Sequence, residues 1–259
     1  MQIEDEVGFH MSTSEVGLIT LNQPRRRNAL TTQMWRALSG ALERAAGEAG
    51  LKVLVITGAG KHFAAGADIS EFSTVYATPE SSTEASLAIS NALEAVANFP
   101  RPTLAKVRGA CIGGGAGIAL ACDIRFADDT AKFAITPGKL GLVYPFSDVR
   151  RLVQTVGLAN AKDILFSARF IEAEEAKQMG LINHLGDQSE LEKMVLDFAL
   201  SICATSKNSA QITKQMFTAI SEGQRVQKTL SQQWFLDAFK SEDFQEGYTA
   251  FLEKRKPNF

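Results

Sequence analysis

Cysteine and histidine are scarce in this sequence, with three of each among 259 residues. Cys111, Cys122 and Cys203 form neither a CxxC metal motif nor a disulfide framework, and the histidines are scattered along the chain. We therefore expect no structural zinc site and no bound metal ion.

Long apolar runs and strong charge are also missing. No stretch reaches the roughly 18 uninterrupted apolar residues of a membrane helix. Residues 1–6 (MQIEDE) are acidic, whereas a signal peptide begins basic and then becomes apolar. The formal net charge of -2 gives no general attraction to nucleic acid or to an anionic membrane. The sequence therefore predicts a soluble, cytoplasmic protein with neither of these as a partner.

Three motifs of nucleotide and hydrolase sites are absent as well. A dinucleotide fingerprint starting at Gly115 would need glycine at Leu120, and one starting at Gly113 would need glycine at Ile118. Neither of the two Gly-Lys pairs has the flanking residues of a phosphate-binding loop. No GxSxG elbow occurs, which argues against a Ser-His-Asp hydrolase.

The apolar pattern that is present predicts an α/β protein. Residues 53–57 (VLVIT) form a continuous run of the kind found in strands covered on both faces. Helices predominate beyond Ser147, and the polar stretch at residues 72–86 is predicted to be a mobile loop. The predicted strands are residues 16–21, 53–57, 103–107, 124–127 and 132–136, and the predicted helices include one capped by Thr31-Thr32 and residues 149–156, 159–166 and 172–179.

A glycine-rich segment at residues 105–123 is the most distinctive feature. It reads as a strand, a glycine turn and then a helix. The glycines remove Cβ atoms where the backbone must come close to something, and the helix directs unpaired N–H groups to the same place. The spacing alone fits an oxyanion-binding corner and close helix packing equally well.

Further candidates lie in two loops. Ligands of open α/β sheets bind beyond the carboxyl ends of strands, so residues 61–69 are a candidate wall of a site. Asp68 and Glu71 have the spacing of a capping box, which favours a helix start over catalysis. Arg25 and Arg26 belong to a cationic triplet that is more typical of a solvated loop, with phosphate contact as the alternative.

Three segments, taken in order and spacing, resemble the crotonase, or enoyl-CoA hydratase/isomerase, superfamily. They are FAAGADI (residues 63–69), GGG (residues 113–115) leading to ALACD (residues 119–123), and LGL (residues 140–142) followed by Arg151-Leu152. The resemblance extends over residues 16–259. It implies a crotonase-like spiral of ββα repeats up to about residue 200, a helical trimerisation region at residues 201–259, and trimers or hexamers.

The resemblance also implies the chemistry. Members of the family stabilise a thioester enolate with two backbone N–H groups, which fall here on Ala67 and Gly114. The substrate would be an acyl-CoA thioester, with no cofactor other than the coenzyme A that the substrate carries. The residues that match the family's coenzyme A site, or that would neighbour its phosphates, are Arg25, Arg26, Ala65, Ala67, Asp68, Ile69 and Gly114.

A second match concerns the C-terminal segment. Phe251 and Lys254 correspond to a pair that reaches the adenine end of coenzyme A from an adjoining subunit, and their spacing predicts one helical face. In the alternative interpretation, Phe251 continues an apolar face with Phe244 and Tyr248, and Lys254 is solvated.

The sequence departs from the hydratases of the family at two positions. Hydratases hold water between two glutamates, and those positions fall here on Gly117 and Pro137. Acid–base groups contribute on the order of a hundred- to ten-thousandfold in rate. We therefore expect an isomerase, lyase or decarboxylase rather than a standard hydratase, or else a non-catalytic acyl-CoA-binding protein.

Four residues are candidates to replace the missing acids. Residues 136–144 are similar to the loop that carries the active-site tyrosine of methylmalonyl-CoA decarboxylase, and Tyr144 falls on that tyrosine. A packed aromatic with a satisfied hydroxyl is the equal alternative for Tyr144. Asp148 is predicted to be a helix cap in preference to a catalytic acid. Glu71 and Glu84 are the remaining candidates.

Overall fold

A computed structural model describes residues 6–224 and 226–259, so residues 1–5 of the acidic opening lie outside the described part. The strands are β1 (Val7–Met11), β2 (Val16–Leu21), β3 (Val53–Gly58), β4 (Thr103–Val107), β5 (Ala110–Ile112), β6 (Ile124–Asp128), β7 (Lys132–Ala134), β8 (Ile171–Glu172) and β9 (His184–Gly186). The helices are α1 (Thr32–Gly47), α2 (Phe72–Val75), α3 (Pro79–Ala97), α4 (Gly114–Ala121), α5 (Phe146–Ser167), α6 (Ala173–Gln178), α7 (Leu191–Cys203), α8 (Lys207–Ser221), α9 (Lys228–Ala238) and α10 (Glu242–Glu253).

Two sheets organise the strands. The larger has the order β1-β2-β3-β4-β6-β9, in which only the β1-β2 pair is antiparallel. The smaller has the order β5-β7-β8. The β3 strand is buried on both faces, as its apolar run predicts.

The chain alternates between the two sheets before each helix. It passes from β4 to β5 and then α4, and from β6 to β7 and then α5. An earlier turn follows the same path, because Ala64, which comes after β3, forms a parallel bridge with Cys111 of β5. The result is a spiral of ββα repeats in which α4 and α5 each follow a strand of the smaller sheet.

Helix α7 lies across the predicted boundary at residue 200. Its buried residues recur every four positions, at Leu191, Val195, Ala199 and Cys203, and they pack on one face of the large sheet. The helices that extend from the core therefore begin after Cys203. Within residues 6–224 and 226–259, no helix is both long enough and apolar enough to cross a membrane.

The predicted mobile loop at residues 72–86 is wrong, because this stretch is largely helical. Pro79 occupies the first turn of α3, where an N–H would have no acceptor within the helix, so the N–H that proline lacks is not needed. Thr78 accepts a bond from Ser81 N, and the Ser81 hydroxyl accepts one from Thr78 N. The predicted break between helices 149–156 and 159–166 is confirmed, because Gly157, with a non-helical φ of 77° and ψ of 162°, separates two helical segments of α5.

Asn28 connects the first crossover to the loop after β3. It is fully buried, with a left-handed φ of 55° that asparagine tolerates. Its amide nitrogen donates to Ala59 O at 3.0 Å, His62 O at 2.7 Å and Phe63 O at 3.2 Å, and its side-chain oxygen accepts from Gln23 N at 2.9 Å. The side chain thus fixes the chain that leads into the candidate wall.

We expect Asn28→Asp to destabilise the protein by at least about 2 kcal/mol, because three carbonyl groups would lose their donor and face a carboxylate. Chemical denaturation measures the change. The control is Asn91→Asp, the same chemical change at an exposed position of α3. Equal stabilities for the two variants would contradict the prediction.

Candidate active site

A cavity of 430 Å³ opens between the loop after β3, the start of α4, helices α2 and α3, and the segment leading into α5. Both predicted donors, Ala67 and Gly114, line this cavity. Tyr144 and Asp148 line it as well. The structure therefore brings together the glycine turn, the candidate wall and two of the four replacement candidates.

The N–H groups of Ala67 and Gly114 are available to a ligand. Gly114 is the first residue of α4, where a helix leaves its N–H groups unpaired. Ala67 lies between two bonds of a short bridge, Leu30 N to Gly66 O at 2.7 Å and Asp68 N to Leu30 O at 2.9 Å. Within residues 6–224 and 226–259, neither N–H donates a hydrogen bond to the protein.

These two donors are close because glycines let their segments touch. A Cβ atom on Gly66 would lie 3.6 Å from Gly114 N and only 2.9 Å from Ile112 O. A Cβ on Gly115 would lie 2.5 Å from Ala64 O, which is shorter than any real contact of that kind. Of the two interpretations left open by the sequence, close packing is shown at Gly115, whereas oxyanion binding at Gly114 stays a prediction.

Asp68 holds the loop beside Ala67 rather than facing the cavity. Its carboxylate accepts from Ser70 N at 3.0 Å, from the Ser70 hydroxyl at 2.7 Å and from Arg26 Nη1 at 2.5 Å. The Ser70 bonds and Arg26 lower its pKa below the ordinary value. Asp68 caps the short 3-10 turn Ile69–Glu71, as its spacing predicts.

Glu71 does not complete the predicted capping box. Its carboxylate instead accepts from Thr32 N at 2.8 Å and from the Thr32 hydroxyl at 3.1 Å, which satisfies the start of α1. Glu84 is exposed and pairs loosely with Arg36 at 3.4 Å. Neither glutamate lines the cavity.

The remaining predicted coenzyme A contacts are divided between the cavity and the surface. Ala65 and Ile69 line the cavity, and Ile69 is 66% exposed at its rim. Arg25 is exposed in the 3-10 turn Pro24–Arg26. Phe251 is exposed on α10 and does not line the cavity of its own chain, and nor does Lys254. The predicted common helical face is wrong, because α10 ends at Glu253 and Lys254 is left-handed at φ 55°.

Tyr144 occupies the space beside Gly117. A Cβ atom on Gly117 would lie 3.3 Å from Tyr144 Oη and 3.5 Å from each Cδ of Leu93. Tyr144 is buried, and its hydroxyl lies 3.5 Å from Gly113 O, at the limit of a hydrogen bond. Burial, reinforced by the charge of Asp148, raises the pKa of Tyr144 well above its usual value. The phenol therefore stays protonated and acts as a donor.

Asp148 is not the helix cap that the sequence predicts. Helix α5 begins after Pro145, which makes no side-chain cap, and Asp148 lies within the first turn. Its Oδ1 accepts from Arg151 Nη1 at 2.8 Å. Burial raises the pKa of this carboxyl, while Arg151 opposes the shift. Among the described residues that line the cavity, Asp148 is the sole carboxylate.

Trp35 is a cavity residue that the sequence analysis did not identify. Its indole is 2% exposed, and its Cζ2 would lie 2.8 Å from a Cβ on Gly114. Its Nε1 has no acceptor in the described part of the chain. The sequence did contain a signal for this contact, because Trp35 directly follows Met34, which lies on the apolar face of α1. No three His, Cys, Asp or Glu side chains of residues 6–224 and 226–259 converge as metal ligands.

Known proteins resemble this chain over nearly its whole length. A family model described as Enoyl-CoA hydratase/isomerase matches residues 12–259. The short-chain-enoyl-CoA hydratase of Clostridium acetobutylicum is 32% identical over 247 residues, covering 93% of each chain. The crystal structure of an enoyl-CoA hydratase/isomerase family protein from Hyphomonas neptunium has a TM-score of 0.94 at 42% identity, covering 98% of this chain and 97% of its own. The crystal structure of enoyl-CoA hydratase from Bacillus anthracis has a TM-score of 0.89 at 30% identity, covering 98% of this chain and 99% of its own.

We expect Asp68→Asn to lower the melting temperature by about 2–4 °C at pH 7. Because the folded pKa of Asp68 is lowered, its stabilisation is complete above the unfolded value of about 4 and is lost as the pH falls through the folded value. The gap between wild type and variant should therefore shrink in acid. Melting curves from pH 7 to pH 2.5 measure it, with Asp129→Asn at an exposed carboxylate as the control. A gap that does not change with pH would refute the assignment.

Proposed function

The chain belongs to the enoyl-CoA hydratase/isomerase family, and from this premise we propose that it converts an acyl-CoA thioester through an enolate. The enolate oxygen would accept from Ala67 N–H and Gly114 N–H. The observation that carries the proposal is that both N–H groups are unpaired and line one cavity. Donors fixed before the reaction stabilise charge as it develops, at no cost in reorganisation.

Family membership also confirms the crotonase-like fold expected from the sequence, an α/β spiral of ββα repeats followed by a helical C-terminal region. We extend the proposal to self-association as a trimer or hexamer. Helices α8 to α10 support it, because they expose large apolar side chains such as Phe217, Phe235 and Phe251. In such an assembly, Phe251 and Lys254 would reach the coenzyme A of an adjoining subunit.

The reaction we propose is isomerisation, lyase chemistry or decarboxylation. Two observations support it over two-carboxylate hydration. By the sequence resemblance, Gly117 and Pro137 fall at the positions of the hydratase glutamates. In the structure, the Tyr144 hydroxyl lies next to Gly117. Hydration is the competing reaction, because relatives such as that of Clostridium acetobutylicum are named as hydratases.

A second candidate is a non-catalytic acyl-CoA-binding protein. The observation in its favour is that Asp148, the sole carboxylate among the described cavity residues, is already paired with Arg151. Tight binding of coenzyme A thioesters without any product would distinguish this candidate. Calorimetry followed by mass spectrometry of the same mixtures measures both properties.

We expect Gly114→Pro to lower turnover about a hundred- to a thousandfold relative to Gly114→Ala. Both variants add a Cβ that would lie 2.8 Å from Trp35 Cζ2, but only proline removes the N–H, and it is tolerated at a first helical position. A panel of enoyl-, β-keto-, malonyl- and methylmalonyl-CoA thioesters, followed by mass spectrometry, supplies the rates. Equal rates for the two variants, or no turnover by the wild type, would overturn the proposal.

Tyr144→Phe keeps the packed ring and removes only the hydroxyl. We expect turnover to fall about 100-fold, at the lower end of the range of general acid contributions. Stability should hardly change, because the only bond lost is at the 3.5 Å limit. Tyr76→Phe is the matched control, since Tyr76 also lines the cavity but is 46% exposed. An unchanged rate would remove Tyr144 from the mechanism.

A further inference from the structure

Among the described residues, only one of the two oxygens of the Asp148 carboxylate accepts a hydrogen bond. Its side chain is 2% exposed, and its Oδ1 accepts from Arg151 Nη1 at 2.8 Å. In residues 6–224 and 226–259, no other group donates to this carboxylate, which leaves Oδ2 without a protein partner. Asp148 Oδ2 is not among the described side-chain atoms that are fully buried without a partner, so it keeps some accessible surface, and Asp148 lines the cavity. A carboxylate oxygen in this position can accept a hydrogen bond from a ligand or water in the cavity.

Arg151 fixes the orientation of this carboxylate. Its second nitrogen, Nη2, donates to Glu94 Oε1 at 2.6 Å, so the guanidinium is held from two sides. Arg151 is 10% exposed and Glu94 is 39% exposed, so the chain of three charges leads from the cavity towards the surface. Because Arg151 fixes its orientation, the Asp148 carboxylate can accept or release a proton without a change in backbone conformation.

We propose that Asp148 is the proton-transfer residue of the cavity, moving a proton between its Oδ2 and a carbon of the bound acyl group. This inference rests on the proposed enolate function. The C–H bond at the α-carbon breaks, its proton bonds to Oδ2, and the electron pair enters the enolate, whose oxygen meets Ala67 and Gly114. Return of the proton to the α-carbon regenerates the thioester. Where the acyl group carries a β,γ double bond, the enolate is a dienolate, and protonation at the γ-carbon shifts the double bond to the α,β position. Either return restores the carboxylate and leaves no net change on the enzyme.

Tyr144 and Asp148 have different roles in this mechanism. Tyr144 carries a proton at neutral pH because its pKa is raised, so it can donate a hydrogen bond but cannot act as the base. Burial raises the pKa of Asp148 while Arg151 opposes it and Glu94 reinforces it, so this carboxylate is a better base than a solvated one. A single residue that returns the proton it removed suits a 1,3-shift of a double bond better than the addition of water.

Exchange of α-protons in D₂O tests this without a complete reaction. Wild type is mixed with butanoyl-CoA, and mass spectrometry counts the deuterium incorporated. We expect Asp148→Asn to lower the exchange rate at least about a hundredfold, and the control Asp129→Asn to leave it unchanged. Asp148→Glu keeps a carboxylate and should retain measurable exchange. In wild type, the deuterium exchange rate should rise with pH as one carboxyl group with a raised pKa loses its proton. Tyr144→Phe and Asp148→Glu should show the same rise, and Asp148→Asn should not.

The outcomes separate the two proposals. If wild type exchanges, Gly114→Pro does not, and Asp148→Asn exchanges as fast as wild type, the assignment of Asp148 is wrong and the enolate function stands. If wild type neither exchanges nor converts any thioester of the panel, the enolate function fails and this inference fails with it. If Asp148→Asn loses exchange together with its fold, as its melting curve would reveal, the pH step in Asp148→Glu decides, and its absence would reject the assignment.

Discussion

The site depends on the contact between two stretches of backbone, at Gly66 and at Gly113-Gly114. Gly66 has a left-handed φ of 95°, and a Cβ atom there would lie 2.9 Å from Ile112 O. A side chain at this point would separate the segments and, with them, the two unpaired N–H groups. The constraint lies in the backbone, which is why the residues that create the site have almost no side chain. The donors can remain unpaired because both face a cavity.

The smaller sheet holds these segments in register. Ala64 N donates to Ala110 O at 2.9 Å, and Ile112 N donates to Ala64 O at 2.9 Å, so the residues before both donors share one ladder. Asn28 and Asp68 then fix the loop on either side of that ladder. The spiral of ββα repeats produces this arrangement, because each turn places a strand end of the small sheet beside the start of the next helix.

Features that depend on short-range chemistry could be predicted from the sequence. The buried β3 strand, the Thr31 cap of α1 and the Asp68 cap follow from local patterns. The donor roles of Ala67 and Gly114 are implied by the resemblance to a family and stay a prediction. Features that depend on distant partners could not. The Glu71 carboxylate satisfies a helix that starts 39 residues earlier, and Arg151, which binds Asp148, is itself held by Glu94, 57 residues away. The helical stretch at residues 72–86 was missed because its Ser and Thr residues serve as caps as readily as they serve loops.

The absence of a side chain at Gly117 and the position of Tyr144 depend on each other. The phenol oxygen would lie 3.3 Å from a Cβ at residue 117, so a longer side chain on α4 and this position of Tyr144 exclude one another. Asp148, the sole carboxylate among the described cavity residues, lies on α5 instead. Burial, reinforced by the charge of Asp148, raises the pKa of the same phenol and keeps it protonated. In the proposed mechanism, the protonated phenol of Tyr144 would donate a hydrogen bond while Asp148 moves the proton. One phenol and one carboxylate would suit the shift of a proton within an enolate better than the two-glutamate hydration that the resemblance implies for the family's hydratases.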